Sequence, residues 1–316
     1  MKKLISIVTP CYNEGENVEE LVRRIRAVMD GFPQYDYEHL LIDNASKDDT
    51  VEKIKRIAAK DLHVRLIVNC RNFGHLRSPT HAIFQAAGDA VIALASDLQD
   101  PPEMIAEFLK QWEAGFQVVI GVKPRSRETP LMFLLRSTYY RLLGKMSDAP
   151  LIENFTGFGL YDREVVATIR SLNDPYPYFR GLIAELGYPR AEIPFEQPRR
   201  VRGVTKNNFY TLYDLAMLGI TSHSKLPLRL ATMSGFVLSF ISLMIAVGYG
   251  LAKLMFWQSF SLGMAPMVVG LFFFGSVQLF FIGLLGEYIG AIHTQVVKRP
   301  LVIEKERVNF DAPPPP

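Results

Sequence analysis

A chain of 316 residues with a formal net charge of +3 is long enough for one sizeable domain with an appendage, and too weakly charged to wrap a nucleic acid. Hydrophobic residues make up 49% and charged residues 21%, which excludes both a disordered chain and a uniform membrane bundle. Two cysteines, Cys11 and Cys70, lack any metal-type spacing, so both are expected to be ordinary buried thiols.

The basic start Met1-Lys2-Lys3 precedes an apolar run too short for a signal peptide, so residues 4–9 read as a first strand ending at Pro10. Residues 16–29 follow with Val18, Leu21, Val22, Ile25 and Val28 at helical spacing. Residues 40–42 form a second strand closing on Asp43, and 51–58 a short helix after Ser46-Lys47-Asp48-Asp49. Residues 64–68, 90–95 and 118–122 read as further strands, with a helix opened by Pro101-Pro102 between the last two. Repeated strand–helix–strand units predict a mostly parallel sheet covered on both faces. Ligands of such sheets sit beyond the carboxyl ends of the strands, where Asn13, Glu14, Asp43, Asn44, Arg71, Asn72 and residues 97–100 would gather.

Residues 129–144 are amphipathic, and 148–198 show no clear period. Arg199, Arg200, Arg202 and Lys206 form a basic cluster, and 209–226 is aromatic and apolar with few charges, as suits a helix lying on a membrane surface. Residues 230–252 and 254–286 then carry no Asp, Glu, Lys or Arg apart from Lys253 between them. A bilayer core of about 30 Å needs roughly 20 apolar helical residues, so two spans are expected, at about 230–252 and 264–286. The competing reading is a pair of helices buried in a large soluble core. Lys225 and Arg229 before the hairpin, and Lys298 and Arg299 after it, place both termini and the N-terminal domain in the cytosol. Trp257, Phe256 and Phe260 suit the far interface, and the four final prolines should not fold.

Three motifs occur in order: Pro10-Cys11-Tyr12-Asn13-Glu14, Asp97-Leu98-Gln99-Asp100-Pro101-Pro102-Glu103, and Arg200-Val201-Arg202-Gly203-Val204-Thr205-Lys206. They resemble family 2 glycosyltransferases, most nearly the polyprenyl-phosphate sugar transferases. Gly286-Glu287-Tyr288 and Lys298-Arg299-Pro300 look like that group's membrane hairpin. The resemblance implies an α/β fold, a GT-A nucleotide-sugar-binding domain with a C-terminal two-helix membrane hairpin. It also implies a divalent metal, Mg²⁺ or Mn²⁺, and transfer of one sugar from a nucleotide sugar to a polyprenyl phosphate lipid. On this pattern Pro10, Tyr12, Asn13, Glu14 and Asp43 would hold the nucleotide, and Asp97 and Gln99 the metal. Arg200, Arg202 and Lys206 would hold the acceptor phosphate, and Asp97, Asp100, Arg200 and Lys206 would serve catalysis. Hard cations choose such oxygen donors, and guanidinium matches phosphate bidentately.

Three departures stand out. The usual Asp-x-Asp is here Ala95-Ser96-Asp97, the usual Asp-Asp-Gly-Ser is Asp43-Asn44-Ala45-Ser46, and Gly157 occupies a position where the group often has the aspartate given the base's role. A lipid phosphate is already an anion and needs little deprotonation; Asp100, Glu153 and Asp162 are the carboxylates open to test as a base.

The expected division is a cytosolic GT-A domain at 1–206, a juxtamembrane region at 207–229, two membrane helices within 230–290 and a cytosolic tail at 291–316. The function read from it is an inverting, metal-dependent transferase at the cytosolic face of the plasma membrane, acting in cell-envelope glycan modification. Ala95 and Gly157 keep an alternative open, a catalytically impaired membrane-anchored nucleotide-sugar-binding or scaffold protein. A processive polysaccharide synthase should carry more spans and a Gln-x-x-Arg-Trp motif, and a nicotinamide dehydrogenase a Gly-x-Gly-x-x-Gly after the first strand; neither motif is present. Nucleic acid is not an expected partner, and a homo-oligomer is left open.

Overall fold

The first two strands pair in parallel over nine residues, from Lys3 opposite Tyr35 to Cys11 opposite Asp43. They are β1 (Lys3–Cys11) and β2 (Tyr35–Asp43), and they bring the first two site segments to one sheet edge. The computed structural model describes residues 2–123, 152, 155–198, 217–218, 226–255 and 264–310. β2 starts five residues before the predicted strand. Its first half, Tyr35-Asp36-Tyr37-Glu38, alternates in polarity and lacks the continuous apolar run that marks its second half.

The chain continues through α1 (Val18–Met29), α2 (Thr50–Ala58), β3 (Val64–Asn69), α3 (Gly74–Gln85), β4 (Ala90–Ala93) and a 3-10 turn at Pro102–Met104. It then forms α4 (Ile105–Glu113), β5 (Val118–Val122), β6 (Phe155–Asp162), α5 (Arg163–Ser171), α6 (Phe179–Leu186) and β7 (Arg190–Pro194). Two long helices, α7 (Leu226–Met255) and α8 (Met264–Val297), precede a last strand, β8 (Glu304–Val308). One eight-stranded sheet results among the described residues, in the order β7-β5-β6-β4-β1-β2-β3-β8. β6 and β8 run against their neighbours and the other pairings are parallel.

The sheet is buried on both faces, as parallel sheets require. One face packs Val8, Ile42, Ile120 and Tyr161 against α5 and α6 residues such as Val166 and Leu182. The other packs Ile7, Ile92 and Leu160 against Leu21 and Ile25 of α1 and Phe108 of α4. Glycine is required at 159, because a Cβ there would lie 2.4 Å from the Val119 carbonyl oxygen of the adjacent strand.

Because β6 is antiparallel, its start lies at the edge where β1, β2, β4 and β5 end. Phe155 pairs with Val122, while Asp162 pairs with Ala90 at the beginning of β4. Asp162 is therefore at the wrong end of the sheet for a base. It caps α5 by accepting the Glu164 amide at 2.9 Å and takes a 2.7 Å hydrogen bond from Trp112 Nε1. The cysteines also divide: Cys11 is buried, but Cys70, in the turn after β3, is exposed, correcting the expectation of two buried thiols.

The segment expected as a plain tail contains an edge strand. β8 pairs antiparallel with β3, with Glu304 opposite Asn69 and Val308 opposite Leu66, and covers an edge that would otherwise offer unpaired amides. Asn309 Nδ2 donates to the Ala58 and Val64 carbonyls at 2.8 Å, and Lys55 pairs with Glu306 at 2.7 Å. These anchors are scattered over α2 and β3, which is why local pattern did not foretell them.

α7 and α8 each contain a stretch long and apolar enough to cross a membrane, at Leu226–Ile245 and Gly270–Val297, and neither stretch is covered by protein. Phe236 is 73% exposed and Phe272 72%. A core helix of a soluble domain would be enclosed, so the two helices, with their rows of exposed Phe, Leu and Ile, stand as candidate membrane spans.

Candidate functional site

The edge is built first by the turn after β1. Asn13 adopts a left-handed φ of 54°, which asparagine tolerates better than most residues, and Ala45 after β2 has φ 62°. These turns interlock: the Asn13 amide donates to Ser46 Oγ at 2.8 Å, and Asn13 Oδ1 accepts the Lys47 amide at 2.8 Å. The Glu14 amide donates to Thr50 Oγ1 at 2.9 Å, and Glu14 Oε2 accepts from Asn17 Nδ2 at 2.6 Å. Asn13 and Glu14 thus hold the loop in shape at the place expected for the nucleotide. Tyr12 is half-buried beside them.

Asp43 ends β2 and is fully buried. Its Oδ2 accepts the Ser46 amide at 2.9 Å, while Oδ1 has no hydrogen-bond partner among the described residues. Burial raises its carboxyl above the usual range against the Ser46 and Ala45 hydrogen bonds. A buried acceptor without a donor is costly unless a ligand supplies one.

Asn44, standing where the resembling family usually has a second carboxylate, is a structural hub. Its Nδ2 donates to Asn72 Oδ1 at 3.0 Å and to the Gly74 carbonyl at 3.1 Å. Its Oδ1 accepts the Phe73 amide at 2.8 Å and Asn69 Nδ2 at 3.2 Å. The amide supplies both donors and acceptor, so it ties β2 to the entrance of α3 in a way a carboxylate could not.

Beyond β4, Leu98 takes φ 60° and Asp97 Oδ1 accepts the Gln99 amide at 3.1 Å, a tight turn that presents Asp97 and Gln99 together. Asp100 turns inward, 6% exposed, and accepts the Ala95 amide at 3.0 Å. Burial pushes its carboxyl up to about 6, against that bond and the Lys123 charge. Lys123, at the end of β5, is lowered by burial and steadied by Asp100 and Asp97.

Pro10, Ala95, Asp100, Gly157, His75 and Arg180 line a cavity of about 230 Å³ at this edge. Two of the expected carboxylate positions, 95 and 157, are its small-residue walls. Gly157 sits at φ +99°, and a Cβ there would come 4.0 Å from Arg180 Cγ. An aspartate at 157 would thus lie beside Arg180; glycine leaves space.

Pro10, Tyr12, Asn13, Glu14, Asp43, Asp97, Gln99 and Asp100 therefore all gather at one edge. Arg200, Arg202, Lys206 and Glu153 lie outside the described residues, as do residues 129–144, Phe256, Trp257 and Phe260. Lys123, His75 and Arg180 were not anticipated. Lys123 follows an apolar strand just as Asp97 does, a usable signal; Arg180 reaches the edge from α6, against the Phe155 carbonyl, and had none.

Among the described residues no group of three or more His, Cys, Asp or Glu could hold a metal ion. Asp97 and the Gln99 amide oxygen are hard oxygens that would fit a divalent cation shared with a ligand's own phosphate oxygens but not one held by protein alone.

Comparison with known proteins gives a consistent result. Residues 6–170 match the model described as Glycosyl transferase family 2. The SfII prophage-derived bactoprenol glucosyl transferase of Shigella flexneri is 34% identical over 303 residues, covering 96% of this chain and 97% of its own. A prophage bactoprenol glucosyl transferase homolog of Escherichia coli K12 is 32% identical, covering 95% and 98%. The uncharacterized glycosyltransferase YkcC of Bacillus subtilis is 33% identical, covering 97% and 94%.

Proposed function

The chain belongs to glycosyl transferase family 2, and from that membership we propose that it moves one sugar from a nucleotide donor, a UDP-sugar, to a polyprenyl phosphate. The observation that carries this is the full-length likeness to proteins named bactoprenol glucosyl transferases, extending through both the sheet domain and the apolar helices.

The reaction is a single displacement with inversion. An oxygen of the acceptor phosphate forms the bond to the anomeric carbon as the bond to the nucleoside diphosphate breaks. Asp43, at the end of β2 beside the loop ordered by Asn13 and Glu14, offers its free oxygen to donor groups of the nucleoside. A divalent cation, Mg²⁺ or Mn²⁺, would neutralise the departing diphosphate, with Asp97 and Gln99 as the residues to hold it. Lys123 and Arg180 add positive charge along the same edge. Arg200, Arg202 and Lys206 are assigned to the acceptor phosphate, which as an anion requires little help from a base.

The hairpin's place supports work at a lipid surface. α8 ends at Val297 and the chain rejoins the sheet at Glu304, beside Asn69 at the carboxyl end of β3. Residues 298–303 can span at most about 20 Å, so the site edge is the edge held near the membrane. The catalytic unit is taken as 1–206 completed by β8, with both termini on the cytosolic side of the plasma membrane.

The test is to offer radiolabelled UDP-sugars with undecaprenyl phosphate to the protein in detergent, in Mg²⁺ or Mn²⁺. Label should pass into the lipid fraction, and Asp97→Ala should abolish it while weakening metal-dependent UDP binding. Transfer at the wild-type rate by that variant removes Asp97 from the metal. Ala95 and Gly157 favour the second reading, a nucleotide-sugar-binding relative without turnover; UDP binding with no lipid-linked product would establish it.

A further inference from the structure

A second cavity, of about 460 Å³, lies where the end of α8 meets the sheet domain. Arg77, Tyr176, Glu287, His293, Thr294 and Arg299 are among the residues that line it. Arg77 comes from α3, Tyr176 from the segment before α6, and the rest from α8 and the turn after it. The cavity thus lies along the C-terminal part of the candidate membrane span Gly270–Val297.

Positive charge converges here. Arg71 and Arg77 lie on the Phe73 ring, with guanidinium carbons 4.2 Å and 5.5 Å from its centroid. Arg77 Nη2 donates to the Pro300 carbonyl, but its buried Nε has no partner among the described residues. Burial first, then the like charges of Arg71 and Arg299, pull Arg77 below its ordinary value, with Tyr176 opposing. Glu287 is the one carboxylate lining the cavity among the described residues. Arginines held together against their mutual repulsion, with an orphaned N–H, form a site for an anion that accepts several hydrogen bonds.

The two cavities share walls. His75, Leu76, Pro79 and Thr80 of α3 face the first and Arg77 the second; Phe179 and Arg180 face the first, Pro175 and Tyr176 the second. Among the described residues, α3 and the 175–180 segment separate this cavity from the transfer edge.

We infer that the Arg77–Arg299 cavity receives the phosphate head of the polyprenyl acceptor on its way from the bilayer to the transfer site. The inference rests on the reading of this chain as a polyprenyl-phosphate transferase and assigns a part to Arg77 and Arg299 that the transfer chemistry leaves unused. The chain would stay in lipid beside α8 while its head engages the arginines.

The experiment measures transfer by the full-length protein in nanodiscs, varying undecaprenyl phosphate and UDP-sugar separately, for wild type, Arg77→Ala, Arg77→Lys and Arg299→Ala. The expected result is an acceptor KM raised about tenfold or more in both alanine variants. Donor KM and kcat should stay near wild type, and Arg77→Lys should recover part of the loss. Arg299 is exposed, so its variant carries the test even if Arg77→Ala loosens the Pro300 contact and fails to fold. An unchanged acceptor KM in Arg299→Ala and in folded Arg77→Ala overturns the inference, and so does a fall in kcat alone. Should the variants alter only the response to added phosphatidylglycerol, the occupant is bulk phospholipid and the acceptor assignment is overturned. A wild type that binds UDP but transfers nothing defeats the transferase reading and this inference with it, whereas active wild type with unaltered variants defeats this inference alone.

Discussion

Asp43 and Asn44 are neighbours with opposite fates, and the difference lies in donors and acceptors. Asn44 spends both of its amide hydrogens and its oxygen on the fold, while Asp43 keeps one buried oxygen in reserve. Replacing Asp43 by Asn would present an N–H where an acceptor is offered, or sacrifice the Ser46 contact. Isothermal titration should show UDP affinity reduced about tenfold in Asp43→Asn, the loss of one hydrogen bond to a charged group, with the melting temperature little changed. Equal affinity would remove Asp43 from the nucleotide site. Arg200 and Lys206 are the other residues whose chemistry is specific. Arg200→Ala or Lys206→Ala should slow transfer roughly ten- to a hundredfold if each contact forms in the transition state. Unchanged kinetics in both would leave the cluster as a surface that attracts anionic headgroups.

β8 is the element whose stability is most open to test, because an ion-pair cluster fastens it. Glu304 is 7% exposed at its side chain and accepts from Arg307 Nε at 2.5 Å and Nη2 at 2.7 Å, with His81 Nε2 at 2.6 Å. Burial alone would raise its carboxyl; those partners overcome it and hold it down at about 2. The folded value lies below the unfolded one of 4.5, so the stabilisation is present above about pH 4.5 and is lost as pH falls towards 2. Glu304→Gln should lower stability at neutral pH by about 1–2 kcal/mol, after allowance for solvent screening, and flatten the acid limb of the unfolding curve. Hydrogen exchange would locate the change in β3 and β8; an unaltered acid limb would show that Glu304 does not fasten the strand. Gly159 sets a second limit at this scale, since any side chain there must push β6 off β5.

At the scale of the whole molecule, the hairpin and the sheet are tied at the same edge. Gln295 near the end of α8 donates to Asp174 at 2.7 Å, and β8 begins seven residues beyond Val297. With the hairpin in a bilayer, a site carried this way would keep a fixed height over it, so that a long-chain lipid phosphate could react without leaving the membrane. The excess of Lys and Arg at the hairpin's outer ends predicts the topology. In intact cells, a membrane-impermeant thiol reagent should label Ser261→Cys and miss Pro313→Cys. Native Cys70, exposed on the sheet domain, should also stay unlabelled until the membrane is opened, which makes it an internal control. Labelling of Pro313→Cys from outside would invert the orientation and remove the site from the cytosol.

The sequence by itself determined the strand–helix repeats, the gathering of Pro10–Glu14, Asp43 and Asp97–Asp100 at one edge, and the two apolar helices. Each of these follows from local period or from residues close to the end of a strand, where neighbours in the chain are neighbours in space. Only the tertiary structure decided that β6 runs backwards, which carried Gly157 to the site and Asp162 away from it, and that α6 sets Arg180 beside the start of β6. It also decided that residues 304–308 return to β3, and that Arg77 and Arg299, 222 positions apart, line one cavity. Those facts rest on contacts between distant segments, whose register and charge balance no local pattern encodes.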